Sequence, residues 1–428
     1  MIRISKTFSL KDISSFKKKL LKWSDKSATS VYLNSNNHKS QINDYEAILA
    51  LDSYSETSYT RKNSLNKLDD YLKNTQDWVF GYFSYDLKNE LENLKSKNID
   101  SFELPNLFFF QPKKIWLVSN SNVEALYLDG NEIDKDWNEI NQINLTVKFT
   151  KSNKIILKER LKKNQYKNKI KLLLEHIKRG DIYEANFCME WFSQNANIIP
   201  SEVYIKLNEI SKTPMSAFFK NKNLNLLSSS PERYIKRIKD RIVSQPIKGT
   251  SRRDQNEMID SKLMNELEVN IKERSENIMI VDLIRNDLSR FSIPGSVKVK
   301  ELCKVYPFKQ VHQMISTIES RIESDLNSPE IIKHTFPMGS MTGAPKVKAM
   351  KIIENLEVSA RGLYSGALGY IKPSGDFDFN VVIRSLIYDT DTKYLSFHVG
   401  SAITSKSSIS KEHDECLLKA KAMISVLQ

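Results

Sequence analysis

An α+β fold built on antiparallel strands is what the sequence predicts, on three observations. Short apolar and aromatic runs end in turn residues, as buried strands do. The helical stretches between them do not alternate with single strands, which argues against a parallel doubly wound sheet. The 428 residues, 40% hydrophobic and 27% charged, suffice for two ordinary domains or one large one with a substantial core.

In chain order, "WVFGYFSYDL" (78–87) and "LPNLFFFQPKKIWLV" (104–118) read as buried strands. The Asn- and Asp-rich stretch 119–153 is the candidate boundary between an N-terminal region, 1–150, and a second region, 151–428. A helix is expected over about 158–179, stopped by Gly180. "ERYIKRIKDRIVSQPI" reads as a hairpin turning near Lys239-Asp240. From Met258 to about Arg290 the period is helical, with Ile278, Val281, Ile284 and Leu288 along one face. In "MGSMTGAPKVKAMKIIENLE" (338–357), Thr342 is placed to cap, and Pro345 suits the first turn of a helix burying Val347, Met350 and Ile353. Residues 363–403 predict a three-stranded meander with turns at 373–376 and 389–392. An amphipathic helix is expected over about 411–427.

Composition narrows the function. No stretch approaches the roughly 18 apolar residues of a membrane span, and the first residues lack the apolar segment of a signal peptide, so no membrane partner is expected. Cys188, Cys303 and Cys416 are odd in number and far apart. They suit a reducing compartment, the cytoplasm, and form neither a disulfide framework nor a zinc pattern. The six histidines contain no HExxH. A net charge of +13 is spread along the chain without aromatic interleaving. Solvated faces explain it better than a nucleic-acid platform, though surplus cations still draw in an anionic substrate.

Glu273 and Glu276 lie three apart in "NIKERSENIMIVDL", and Glu412, Glu415 and Lys419 stand at i, i+3 and i+7 in the last helix. At about 100° per residue, each acidic pair falls within an arc of about 60°. If the two faces meet they offer four carboxylates, a hard oxygen site suited to Mg²⁺; apart, they are ordinary surface acids. Gly343 lets a ligand approach the backbone at a helix N-terminus that attracts anions, or the stretch is a tight capped turn. It is no phosphate-binding loop, because the GxxxxGK[ST] spacing is missing. In "SQPIKGTSRR" (244–253), Lys248 stands at a strand end beside Gly249, either snorkelling to solvent or presenting an amine to a cleft. Arg285, Arg290 and Arg384 sit in apolar surroundings and need carboxylate partners. Asp282 and Asp287 would serve the first two. Arg384, amid Val381, Val382, Ile383 and Leu386, has no acid nearby and suits a ligand's carboxylate.

"SSSPERY", "PIKGT", "RSENIMIVDLIRNDLSR", "GSVKV", "TGAPKVKAM", "GLYSGALGYI" and "VVIRSL" stand in the order seen in chorismate-utilising enzymes. The chain resembles that family over about 160–428, and "GYFSYDL" extends the likeness towards the N-terminus. The resemblance implies a large antiparallel β-sandwich with outer helices, of the anthranilate synthase component I type. Residues 1–150 would be its N-terminal region and 151–428 the chorismate-binding catalytic region. It implies chorismate as substrate, with Mg²⁺ bridging the ring carboxylate to Glu276 and Glu415, and Glu273 and Glu412 in support. Arg384 and Tyr364 would hold the enolpyruvyl carboxylate. Gly249, Gly400, Thr342, Gly343 and Lys419 would hold the rest. Glu232 would give a proton to the departing C4 hydroxyl, provided burial raises its pKa.

Within the family, "PIKGT" resembles the branch that makes aminodeoxychorismate, whereas anthranilate-forming members typically carry Ala in place of the lysine. Lys248 would then add to C2 as the C4 hydroxyl leaves, and ammonia would add at C4 and expel it. Arg252, Arg253 and Mg²⁺ would depress the lysine pKa. A separate glutamine amidotransferase subunit would supply the ammonia, since nothing in the sequence resembles a glutaminase, and the product would lead to p-aminobenzoate and folate. Glu184 departs from the Gln usual in this branch, and from the lysine that isochorismate- and salicylate-forming members use as a base. Gln313, Ser401-Ala402 and Met338 depart as well. "VYLNSNN" (31–37) matches the family's tryptophan signature poorly, so no strong tryptophan inhibition is expected. Anthranilate formation, and chorismate binding without catalysis, are the alternative functions.

Overall fold

Two long antiparallel strands, Ala47–Tyr59 and Leu107–Ser119, organise the fold. Their register shifts between Ser53 and Ser55, opposite Pro112, which has no amide hydrogen to donate. Around that shift the second strand changes its outer partner. Leu107–Phe110 pairs with Val79–Phe83, whereas Lys114–Ser119 pairs with Asn122–Tyr127. The computed structural model describes residues 2–38, 44–60, 62–145, 155–309 and 311–428.

Two arms grow from this pair. One runs through Thr29–Asn34, Met215–Asn221, Leu224–Ser230, Ser385–Asp389 and Leu395–Thr404 to Glu184–Ser193. The other runs through Val79–Phe83, Ala367–Ile371, Phe377–Asn380, Arg233–Ile238 and Arg241–Gln245 to Val311–Arg321, which Ile247–Arg252 and Lys298–Pro307 flank. All of these pairings are antiparallel.

Side chains alternate across each strand and, among the described residues, so build three large cores beside a small cluster of Leu267, Cys303, Val305 and Met314. Val31, Ile48, Phe80, Phe108 and Phe219 meet between the arms. Tyr32, Leu49 and Phe218 face the helices Ile13–Trp23, Lys163–Lys178, Pro200–Ser211 and Ile409–Ser425. Val79, Phe83 and Phe109 face Ser64–Thr75, Ile271–Ser289 and Ser328–Thr335. Each fully buried Phe contributes about 1.5–3 kcal/mol, so this alternation is a main source of stability. The order helices, sheet, sheet, helices is the expected antiparallel sandwich with outer helices.

The hairpin at Lys239-Asp240, the helix ending before Gly180 and the C-terminal helix form as predicted. Four expectations change. The described part of 119–153, the candidate boundary, is folded: it forms the strand Asn122–Tyr127 and the helix Ile133–Gln142, with Ile133 and Ile140 buried. Position 150 lies outside the described residues, and strands from either side of it share the sheet. The helix expected over 258–290 is two, Glu257–Val269 and Ile271–Ser289. Asn270 divides them, its side chain accepting the Glu273 N–H as a cap. The buried face of the second helix therefore includes Asn277 and Ile280, and Ile278 is exposed. The meander is two hairpins on different arms, with Val381–Arg384 crossing between them. Finally, Pro345, not Thr342, occupies the N-cap of Lys346–Leu356; Met350 and Ile353 are buried while Val347 is half-buried.

Among the described residues no helix is long and apolar enough to cross a membrane.

Candidate active site

Where the far ends of the two arms approach each other they enclose a cavity of about 710 Å³, within the usual size range of small-molecule sites. Asn186, His398, Gly400, Glu415 and Lys419 line it from one arm and the C-terminal helix; Lys248, Gly249, Gln313, Glu273 and Glu276 line it from the other. Glu232, Ser340, Tyr364 and Arg384 complete the wall.

Lys248 lies where Ile247–Arg252 slips register against Val311–Arg321, between Ile247 and Thr250. Gly249 sits in the slip with φ +99°, a backbone that glycine adopts without steric cost. The lysine turns inward. Its Nζ donates to Oε1 of Glu184 at 2.8 Å, with only 10% of the side chain exposed. Burial pulls its pKa down, but the Glu184 carboxylate, with Glu276 and Glu232 farther off, carries it above the ordinary lysine value. The expectation that Arg252 and Arg253 depress this pKa is therefore corrected. Arg252 is taken by Asp254 at 3.0 Å and Arg253 by Asp260 at 2.8 Å.

Glu232 is buried between Leu224–Ser230 and Arg233–Ile238, and accepts a 2.6 Å hydrogen bond from the Ser340 hydroxyl. Burial lifts its pKa to about 7, against the opposing pull of Ser340 and Lys248. It can thus carry a proton near neutrality, as an acid for a leaving hydroxyl must.

Arg384 holds φ +52° at the crossing between the arms, a conformation costing a residue with a Cβ roughly 1–2 kcal/mol. Its guanidinium faces the cavity, with neither ion pair nor hydrogen bond among the described residues. Burial pulls its pKa down, and Tyr364 and Glu415 oppose that shift. An unpaired guanidinium in a cavity is suited to a ligand's carboxylate. Beside it the Tyr364 ring stacks on His398, centroids 5.3 Å apart. Arg285 and Arg290, by contrast, are exposed; Arg285 pairs with Asp282 at 2.8 Å, and Asp287 goes to Lys346.

The four acids come to one region, but not to one point. Glu273, Glu276 and Glu415 line the cavity, and Glu412 is buried behind them. Lys272 lies between Glu276, at 3.6 Å, and Glu412, at 3.4 Å. Burial raises Glu273, and raises Glu276 to about 7; it would raise Glu415 too, but Lys419 holds that group below its ordinary value. Among the described residues no three His, Cys, Asp or Glu side chains converge closely enough to hold a metal ion. The donor set still suits a hard divalent cation. It is all carboxylate oxygen, and Oε2 of Glu412 is buried without a partner among the described residues.

Other predicted contacts are already committed within the protein. Lys419 donates to Glu415 at 2.6 Å and to the Gly400 carbonyl at 2.8 Å. Thr342 and Gly343 do not line the cavity. The Thr342 hydroxyl donates to the carbonyls of Met338 and Gly339, and a Cβ at Gly343 would stand 2.1 Å from the Glu184 carbonyl oxygen. Gly343 thus admits a neighbouring strand, not a ligand. At the departure in "VHQMIS", Gln313 lines the cavity, while alternation points His312 to Asp260 at 2.9 Å. The stretch "VYLNSNN" borders a separate cavity of about 60 Å³.

Sequence reasoning missed His398, Ser340 and Arg361. Burial lowers His398 to about 4, so near neutrality it is an uncharged ring against Tyr364. Arg361 makes a two-point contact with Glu357 and donates to the carbonyls of Met341 and Asn186, tying the Thr342 turn to the cavity wall. A histidine two residues before Gly400 was the available signal for the first. Nothing local marked the others.

The family described as chorismate binding enzyme matches residues 20–425. The aminodeoxychorismate synthase of Arabidopsis thaliana chloroplasts is 40% identical over 263 residues, which is 61% of this chain but only 28% of that protein. Aminodeoxychorismate synthase component 1 of Escherichia coli is 32% identical over 82% of this chain and 77% of its own. That of Bacillus subtilis is 30% identical over the same shares. The fold is similar to anthranilate synthase component I of Streptococcus pneumoniae, with a TM-score of 0.76 at 22% identity, covering 91% of this chain and 94% of that one. It is also similar to the menaquinone-specific isochorismate synthase of Escherichia coli, with a TM-score of 0.78 at 16% identity, covering 100% and 94%.

Proposed function

The chain belongs to the chorismate binding enzymes, and from that premise we propose that it aminates chorismate at C4 to give 4-amino-4-deoxychorismate, the product for which its plant and bacterial relatives are named. One observation carries the choice within the family. A buried primary amine, Lys248, projects into the same cavity as an unpaired guanidinium and a carboxyl that holds its proton near neutrality.

In this reading Arg384 and Tyr364 hold the enolpyruvyl carboxylate and orient the ring. Lys248 forms a bond to C2 while Glu232 protonates the hydroxyl leaving C4, and ammonia then adds at C4 as the lysine departs. Mg²⁺, held by Glu276 and Glu415 with Glu273 and Glu412 in support, would neutralise the ring carboxylate and draw electron density towards it. The ammonia comes from a separate glutamine amidotransferase subunit, and the product leads to p-aminobenzoate and folate. The chain works in the cytoplasm.

The test is to incubate the protein with chorismate, Mg²⁺ and ammonium at alkaline pH and to identify the product by mass spectrometry. The expected product keeps its enolpyruvyl group and carries the amine para to the ring carboxylate. Anthranilate with pyruvate, isochorismate alone, or chorismate bound but unchanged would each sink the reading. Lys248→Ala should retain chorismate binding and lose amination; a wild-type rate would remove the lysine from the chemistry.

A further inference from the structure

His398 belongs to the cavity wall but has no part in the chemistry above. On Leu395–Thr404, alternation turns His398, Gly400 and Ala402 towards the cavity, while Phe397 and Ile403 pack beneath the outer helices. Only 4% of the histidine is exposed, and its ring lies against Tyr364 with the planes 20° from parallel. Its Nε2 is 3.3 Å from the Ser359 hydroxyl, and its Nδ1 is buried with no hydrogen-bond partner among the described residues. Glu190, directly opposite on the paired strand, is already held by Arg160 at 2.9 Å and Tyr394 at 2.8 Å.

Ser359 decides the tautomer. Its hydroxyl is buried, and Nε2 is its one acceptor among the described residues, so it donates there. The ring holds a single proton near neutrality and therefore carries it on Nδ1. The orphaned group is thus a donor, and a buried donor without an acceptor costs free energy that a ligand can restore. Chorismate offers acceptors at both carboxylates, and Tyr364 and Arg384, read above as holding the enolpyruvyl one, stand at this end of the cavity. A neutral donor suits the place, because Arg361 and Arg160 already repel a positive ring there.

We propose that His398 is a third binding residue for the enolpyruvyl carboxylate, its Nδ1–H donating to one carboxylate oxygen while Ser359 fixes the tautomer. The inference rests on the chorismate reading. Arg384 supplies the charge that draws the carboxylate in, and the imidazole N–H, locked in the plane of a stacked ring, supplies direction.

Two variants of the full chain separate the nitrogen from the ring. His398→Phe keeps a flat ring against Tyr364 and removes the donor. His398→Asn gives up the ring but sets a side-chain N–H where Nδ1 stood. With Mg²⁺ and ammonium, the Phe variant should raise the chorismate KM roughly tenfold or more and lower kcat by a smaller factor, and the Asn variant should recover most of that KM. The methyl ester of chorismate at the enolpyruvyl carboxylate, used as a competing ligand, gives a second readout. Wild type should bind the ester much more weakly than chorismate, and in His398→Phe the difference should shrink, because ester and substitution remove the same contact. A third measurement needs no substitution. With ¹⁵N-labelled histidine and no ammonium, one of the six imidazoles should carry its proton on Nδ1 and move downfield when chorismate is added. An unchanged KM in His398→Phe, an Asn variant as impaired as the Phe one, ester and substitution effects that simply add, or no imidazole that responds to chorismate would each reduce His398 to packing and overturn the proposal. The two levels separate. Normal wild-type amination beside an unaffected His398→Phe removes the histidine's role alone, whereas a wild-type protein that does not bind chorismate removes the reading beneath it.

Discussion

Arg384 is the residue whose isolation is hardest to explain without a ligand. Its backbone is held in a left-handed conformation, and its guanidinium faces the cavity with no partner among the described residues. Removing one member of a buried charge pair costs about 2–5 kcal/mol when the pair is present and little when it is not. Arg384→Gln should therefore raise the chorismate KM by about 10²-fold yet leave the melting temperature of the ligand-free protein unchanged or higher. Steady-state kinetics and a thermal scan check the two halves. Glu232 makes a matching prediction in pH. With its pKa raised to about 7, its acid form is lost as pH rises through that value, so kcat should decline there, and Glu232→Gln should lose this limb with the activity. Arg384 was legible because its signal is local, an arginine without a nearby acid, whereas the role of Glu232 was reached only through the family resemblance of its motif. The protonation of Lys248 was not legible. Its partner, Glu184, lies 64 positions away on the other arm, and only the closed sandwich brings the two together.

At the level of elements, Gly343 shows how one position governs the site without touching it. A Cβ there would meet the Glu184 carbonyl oxygen at 2.1 Å, so the strand carrying Glu184 can lie in place only against glycine. Gly343→Ala should cost about 1–3 kcal/mol of stability, as overpacking does, and should lower kcat more than it changes the chorismate KM. Denaturant unfolding with parallel kinetics would reveal it. A chain that unfolds earlier but reacts normally would detach the strand from the catalytic geometry. Sequence patterning found elements whose limits are set locally, such as the hairpin at Lys239-Asp240 and the helix stopped at Gly180. It missed the break at Asn270, because the helical period runs straight through it and the cap lies in one side-chain hydrogen bond. It also miscounted the strands of 363–403. Their turns are local, but their partners, Arg233–Ile238 for one hairpin and Leu224–Ser230 for the other, are distant in sequence.

For the whole molecule, the buried carboxyls fix how stability must change with pH. Burial raises Glu232 and Glu276 to about 7 and Asp86 to about 6, all above their unfolded values. The folded chain therefore keeps protons that the unfolded chain releases between about pH 4.5 and 7. The stability these groups contribute is complete below the unfolded pKa and is lost as pH climbs through the folded one, on the order of a few kcal/mol each. Carboxylates held low, such as Asp260 beside Arg253, work in the opposite sense but are finished before pH 5, and His398, lowered to about 4, opposes the trend only up to about pH 6.5, as one group against three. Between pH 5 and 8 the melting temperature should accordingly fall, and Glu276→Gln should flatten part of that fall. Mg²⁺ links this trend to the site. A divalent cation binds the deprotonated carboxylates and stabilises the fold only where they are already charged or can become so. Millimolar Mg²⁺ should raise the melting temperature more at pH 8 than at pH 5, with the difference lost in Glu276→Gln and reduced in Glu415→Gln. Equal shifts at both pH values, or none, would mean that the acids gathered around Lys272 serve that lysine instead of a metal. Because those acids come from two helices packed against different arms, such a cation would also bind the arms to each other at the end where the cavity lies.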